Sequence, residues 1–245
     1  MISPSLRSDL TPTGTLRVGI NYGNPVLATR ASASGDLLGV AVDLAQELGT
    51  RTGLPIDLVG YDSAGKMVEA LQAGGWDIAF LAIDPGRAEQ ISFTAPYLEI
   101  EGTYLVPARS PLRMIPDIDR KGVRVGISSG SAYDLFLSRS LQHAEMVRAP
   151  NPNGAFELIV SGKVDVVAGV KQHLIANAAK LPGSRVLDGR FMAIQQALGI
   201  PKGHDAGLKY LREFIEDVKA SGLVAQAIAK AGISGVSIAP KAPIS

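Results

Sequence analysis

One arrangement of residues occurs twice in this chain, and it constrains the fold more than any other feature. Leu16–Asn21 reads LRVGIN and Val123–Ser128 reads VRVGIS. Further on in each half, VEALQAGGWDIAF (Val68–Phe80) matches FELIVSGKVDVVA (Phe156–Ala168), placing Gly74 on Gly162 and Asp77 on Asp165. Each half therefore opens on a strand and later runs helix, Gly, spacer, apolar residue, Asp, strand. The Gly suits the first position past a helix, where φ is positive, and the Asp opens a strand apolar enough to be buried on both faces. Two matches in the same order predict two similar α/β lobes.

The elements between these repeats follow the same alternation, which favours largely parallel sheets. Strands are expected at Leu16–Asn21, Pro55–Tyr61, Trp76–Ile83 and Gly102–Pro107, with helices at Val40–Gly53 and Ala64–Ala73. A polar connector, Ala108–Lys121, leads to the second half. There strands are expected at Val123–Ser128, Val164–Gly169, Ser184–Leu187 and Ala193–Ile200, and helices at Ser131–Ser140, Asn153–Ser161 and Lys171–Lys180. Asp205–Ala231 predicts one long and one shorter helix broken near Gly222. The Ser-, Pro- and Thr-rich termini read as loose ends.

Composition narrows the function classes. With 46% hydrophobic residues, 19% charged residues and a net charge of +1, the chain has no basic excess for nucleic acid and no acidic block. Cys is absent, so thiolate catalysis and Cys-based metal sites are excluded. The three His are isolated, with no metal-ligand spacing. No run approaches the roughly 18 apolar residues of a membrane span. The opening MISPSLRSDLTPTG lacks a basic stretch followed by an apolar one, so no signal peptide is read there.

Two stretches carry candidate chemistry. Gly126-Ile127-Ser128-Ser129-Gly130 fits the G-x-S-x-G of a serine nucleophile elbow, with acids at Asp134, Asp165 and Asp188 and His at His143, His173 and His204 downstream. No Gly-rich oxyanion loop accompanies it, and the matching strand in the first half ends in Asn21-Tyr22-Gly23 without a serine. The alternative is a strand running into a helix whose N-terminus holds a ligand's negative charge. The second stretch follows the strand ending at Ile83. Asp84-Pro85 reads as an N-cap and first residue of a short helix. Arg87 then falls in its first turn, where the helix dipole disfavours a cation. It is either a surface ion pair with Asp84 or Glu89, or a fork that grips a carboxylate.

The run GGWDIAFLAIDPGRAEQISFTAPY resembles the signature of family 3 solute-binding proteins, the periplasmic receptors of polar amino-acid ABC transporters. LRVGIN, Gly39-Val-Ala-Val-Asp43, VRVGISSGS, GKVDVV and LGIPKG (Leu198–Gly203) extend the likeness through most of the chain. The resemblance implies a type II periplasmic-binding-protein fold, α/β and two-lobed, with a two-strand hinge near Tyr104–Val106 and Ala193–Gly199. Lobe 1 is expected over 1–107 plus 191–245 and lobe 2 over 108–190, with the ligand cleft between them.

It also implies a site. Arg87 becomes the anchor of a ligand carboxylate, met from the other lobe by Gly130, Ser131 and Ala132, which stand where the family has G-T-T. Main-chain groups near Leu81 and Ala82 join them, with Asp84, the loop residues Asn21, Tyr22 and Asn24, and Ser63 at a helix start. The family's acid for the ligand's α-ammonium falls on Val170, with Gly169 and Lys171 beside it and no carboxylate among the three. Arg87 follows Asp77 by ten residues, a shorter step than in the usual amino-acid binders. A small anion without a free amine, or one held in another orientation, is therefore expected over a standard amino acid. Gln172, Gln195 and Gln196 are candidate neutral hydrogen-bonders.

The expected protein is a monomeric binder of a carboxylate-bearing ligand that closes about its hinge, needs no cofactor and serves an ABC permease. Its location is periplasmic by resemblance, and cytoplasmic if the chain as given is full length. Two alternatives stand beside it: on the same fold, a signal-less cytoplasmic binder or a dehydratase-like enzyme with Glu99 or Glu101 as its acid, and a serine hydrolase using Ser128.

Overall fold

The computed structural model describes residues 2–32 and 34–242. In chain order its elements are α1 (Pro4–Leu10), β1 (Leu16–Asn21), β2 (Thr29–Arg30), β3 (Leu37–Leu38), α2 (Val40–Thr52), β4 (Ile56–Tyr61), α3 (Ala64–Gln72), β5 (Ile78–Ala82), β6 (Ile91–Phe93) and β7 (Leu98–Val106). They continue with β8 (Arg124–Ser128), α4 (Ala132–Ser140), β9 (Glu145–Ala149), α5 (Pro152–Val160), β10 (Val166–Val170), α6 (Lys171–Ala178), β11 (Arg185–Val186), β12 (Met192–Pro201), α7 (Asp205–Ala220), α8 (Leu223–Lys230) and β13 (Ser237–Ile238). Short 3-10 turns at Arg87–Glu89 and Ile115–Asp117 complete it.

The chain divides into two compact units. Unit 1 comprises Met1–Asp62, Lys66–Glu99 and Gln195–Ser245; unit 2 comprises Ser63–Gly65 and Ile100–Ile194. In unit 1, β1 lies between β4 and β5 and is parallel to both, while β12 runs antiparallel along β5 and β6 along β12. Leu16, Val18, Ile20, Ile78 and Phe80 of the central strands are fully buried. In unit 2, β8 lies between β9 and β10, parallel to both, and β7 and β11 extend the sheet antiparallel. Its core gathers Leu105, Ala149, Phe156, Ile159, Val164, Val167 and Leu174. Each unit thus sets its repeated R-V-G-I strand at the centre of a parallel triplet and adds an antiparallel strand beyond it.

The repeat is closed by an ion pair. The Arg17 amide and Nε both donate to Asp77 Oδ2, at 2.8 and 3.1 Å, and Nη2 donates to Oδ1 at 2.6 Å. Arg124 and Asp165 form the same clamp at 2.9, 3.0 and 2.9 Å. The preceding helices end alike as well. Gly74 and Gly162 take φ of 63° and 69°, and the next amides reach back to Ala70 and Leu158, the pattern of a Schellman cap. A carboxylate opening one strand is thereby tied to the arginine opening its neighbour, which fixes the register of the parallel pair.

One terminal expectation is overturned. The N-terminal stretch is a helix, not a loose end: the Ser3 hydroxyl caps it, Pro4 stands at its first position, and Leu6 and Leu10 are buried. It docks on α7, where Asp9 accepts the Gly207 amide at 2.9 Å. Hairpin β2–β3 and strand β9 also form where no strand pattern stood out. They are short or half-exposed, so neither alternation nor a long apolar run marks them. Among the described residues no helix is long and apolar enough to cross a membrane.

Candidate functional site

In unit 1 the site grows from the C-terminal end of β5. Its five residues, IAFLA, are all buried, as a strand covered on both faces requires. Beyond Ile83 the chain turns on Asp84, whose Oδ1 accepts the Gly86 amide at 2.8 Å. Gly86, not Asp84, occupies the N-cap position, and the helical turn is three residues of 3-10 helix. This corrects the expected Asp84-Pro85 cap: Asp84 instead forms a side-chain turn that bends the chain back over the strand end.

That bend carries Arg87 inward. Its side chain is a surface ion-pair partner on one reading, yet only 5% of the residue is exposed. Nη1 donates to the carbonyl of Ala82 at 2.8 Å, holding the guanidinium across the end of β5. Burial pulls its pKa down to about 10, and the Asp84 charge opposes that pull. A guanidinium stripped of water gains most from a carboxylate that meets it in fork geometry. Leu81, Ala82, Asp84 and Arg87 are therefore assembled together, all buried.

The loop after β1 is shaped by its own asparagines. Asn21 Oδ1 accepts the Gly23 amide at 3.0 Å and Asn24 Oδ1 accepts the Val26 amide at 3.1 Å, both side chains buried. Their oxygens thus hold the loop in shape. The Tyr22 ring lies under the Arg30 guanidinium, 4.4 Å from the ring centroid.

In unit 2, Ser128 ends β8 and Ser131 caps α4. Gly130 takes φ of 66°, which favours glycine, and its amide donates to Asp134 Oδ2 at 2.8 Å. Ser131 Oγ accepts the Asp134 amide in return, at 3.0 Å. The helix end is thus already capped by a carboxylate, and the Gly130 amide is committed to it. The first amides of the helix proper belong to Ala132 and Tyr133, which have no partner within an α-helix. Arg148 Nε pairs with the Asp134 carboxylate at 3.0 and 3.2 Å, offsetting its charge. Burial raises the Tyr133 phenol to about 12, while the Ser131 and Ser128 hydroxyls draw it back.

Ser63, 1% exposed, packs in unit 2 beside this turn, where an added Cβ on Gly65 would come within 2.5 Å of the Ser129 carbonyl oxygen. Val170 ends β10 as the N-cap of α6 and offers no side-chain cap. Next to it, Lys171 Nζ pairs with Glu101 Oε2 at 2.7 Å.

The hydrolase reading fails on geometry. An elbow serine sits exposed on a strained turn. Ser128 is 1% exposed within a regular strand, and among the described residues no non-glycine has positive φ. The Ser128 hydroxyl has no hydrogen-bond partner among the described residues, so no histidine is bonded to it as its base. Among the described residues no His, Asp and Glu cluster could hold a metal.

Two groups of unit architecture escape a reading by motif. The Arg17–Asp77 and Arg124–Asp165 clamps were visible as matched residues of the repeat, but nothing in one dimension pairs Arg with Asp. The Asp134–Arg148 pair joins α4 to β9, a strand without a sequence signal.

Among curated proteins, the chain is 28% identical over 130 residues to the Virulence sensor protein BvgS of Bordetella pertussis (strain Tohama I), covering 53% of this chain and 10% of that protein. The chain thus spans about a tenth of that relative's length. It is 22% identical to the ABC transporter arginine-binding protein 1 of Escherichia coli (strain K12), over 78% of this chain and 79% of that one. It is 26% identical to the Cyclohexadienyl dehydratase of Pseudomonas aeruginosa (strain PAO1), over 63% and 59%. The solute receptor for L-cysteine of Neisseria gonorrhoeae superposes with a TM-score of 0.80 at 22% identity, covering 94% of this chain and 93% of that one. An ancestral arginine-binding protein bound to glutamine does so at 0.77 and 25%, covering 89% and 97%. The fold is that of the type II periplasmic binding proteins. The family model of bacterial extracellular solute-binding proteins, family 3, matches residues 16–232, from the first repeat strand to the end of α8, and the chain belongs to that family.

Proposed function

We propose that this chain is a non-catalytic receptor that captures a small carboxylate-bearing ligand, amino-acid-like or an organic anion, by hinge closure and delivers it to an ABC importer. The observation that carries the reading is Arg87, a buried guanidinium oriented by the Ala82 carbonyl at the end of a central strand. Burial disfavours its charged form, Asp84 offsets part of that, and a ligand carboxylate meeting the guanidinium in fork geometry adds to the offset. The Ala132 and Tyr133 amides at the start of α4 are the second anchor, reached by the ligand when the protein closes. Only the closed state makes both sets of contacts, so the ligand favours it by that difference in affinity. Relatives named for arginine and cystine support an amino-acid-like ligand. Val170, at the family's ammonium position, argues for an amine that is absent or held elsewhere.

The dehydratase alternative has less support. Glu101 is paired with Lys171, and Glu99 accepts from Gln195 at 3.2 Å, so neither carboxylate is held as an isolated, desolvated acid.

A thermal-shift screen of carboxylates and amino acids tests the reading, because a ligand of the folded state raises Tm. Arg87→Ala should weaken binding of every stabilising carboxylate by about 100-fold, the equivalent of roughly 2–3 kcal/mol for charge-assisted hydrogen bonds. Undiminished shifts in that variant would sink the anchor assignment.

A further inference from the structure

Of the three glutamines singled out in the sequence, Gln195 and Gln196 stand side by side on β12 and part ways in the structure. Gln195 is exposed and donates to Glu99. Gln196 is 3% exposed, and its side-chain oxygen is buried with no hydrogen-bond donor among the described residues. It stands just after the point where the chain returns from unit 2 to unit 1.

Register places it opposite the residue that holds Arg87. Gln196 is directly opposite Ala82, and opposed residues of an antiparallel pair project on the same face. Ala82 is the residue whose carbonyl holds Arg87. Two residues back, Phe80 opposes Leu198 on that face, and Tyr97 packs edge-on against Phe80 at 5.8 Å. Tyr97 is one neighbouring group with a donor to give, and its hydroxyl is likewise buried with no partner among the described residues. The two do not bond each other. A buried carboxamide oxygen left without a donor is unfavourable, and folded proteins rarely keep one without a purpose.

We infer that Gln196 is a specificity-determining contact, its side-chain oxygen accepting an N–H from the ligand whose carboxylate Arg87 holds. The inference rests on the carboxylate-binding reading above. It names the ligand class more closely: a carboxylate with an amine, amide or guanidinium donor, recognised by a neutral acceptor from unit 1 in place of the acid missing at Val170. A simple dicarboxylate has no such donor at neutral pH and leaves the oxygen unpaired.

Isothermal titration of the full chain with L-glutamine, L-arginine and succinate tests this, using Gln196→Leu, the shape-conserving Gln196→Met and Arg87→Ala. The wild type is expected to bind at least one of the two amino acids tenfold or more tighter than succinate. Gln196→Leu and Gln196→Met should each lose about tenfold for that amino acid, with any succinate affinity unchanged. A merely structural role for Gln196 would lower the ligand-free Tm and shift all three affinities by one common factor, or by none, which overturns the inference. A wild type that binds none of the three, or that shows no preference over succinate, overturns it as well. Loss in Arg87→Ala with no change in the Gln196 variants removes only the specificity contact. The reverse pattern removes only the anchor.

Discussion

At the residue scale, burial decides what each copy of the repeated clamp is worth. Asp77 and Asp165 make the same bonds to Arg17 and Arg124, but their side chains are 3% and 39% exposed. Removing Asp77 strands a backbone amide where the buried carboxylate stood, beside a partly exposed guanidinium, whereas at Asp165 both side chains are reached by water. Asp77→Ala should therefore cost about 3 kcal/mol and Asp165→Ala about 1 kcal/mol or less in urea unfolding. Equal costs would show that burial does not govern the pair. Arg124 holds the Asp165 carboxyl below its ordinary value of 3.8. Its folded pKa is thus lower than its unfolded one, so the contribution is complete above the unfolded pKa. It is lost as pH falls through the folded value. The deficit of Asp165→Asn against the wild type, measured at neutral pH, should shrink below pH 3.8. Arg87 lies at the other extreme, a buried charge whose pKa desolvation pulls down to about 10.

At the element scale, short segments depend on their docking partners. α1 spans only seven residues, far below the length at which a helix holds alone in water. Its Ser3-Pro4 start is an N-cap and first-position pair legible in the sequence, yet nothing local marks the seven residues as worth burying. α7 supplies that reason through Leu6, Leu10 and the Asp9–Gly207 bond. Leu10 is fully buried, so Leu10→Ala should cost about 2–5 kcal/mol, read as a fall in the urea midpoint at unchanged slope. A cost below about 0.5 kcal/mol would mean that α1 is an ornament on α7. The turn after β5 teaches the same point. Asp-Pro announced a helix start, and the competing side-chain turn of Asp84 moved the cap to Gly86 and tipped Arg87 into the interior.

At the scale of the whole molecule, each unit has its own parallel strand triplet, and the chain passes between the units within β7 and β12. Without ligand, calorimetric unfolding should depart from two-state behaviour, with a calorimetric enthalpy above the van't Hoff enthalpy. If the closure proposed above holds, a saturating ligand should bring the two enthalpies together. A ratio of one in its absence would mean that the units already unfold as one. The amino-acid sequence by itself determined the class of fold, because the repeat, the apolar β5 and β10 and the glycine caps are local necessities of strand and helix. It left Arg87 open between a surface ion pair and a carboxylate fork, and the family resemblance singled out Arg87 and Ser131. Only the tertiary structure decided that Arg87 is buried and held by Ala82, that Asp134 already occupies the Gly130 amide, and that Gln196 is buried opposite Ala82 while Gln195 is exposed. Those outcomes depend on which strands become neighbours and in what register, and a one-residue slip in a pairing would turn every side chain to the other face.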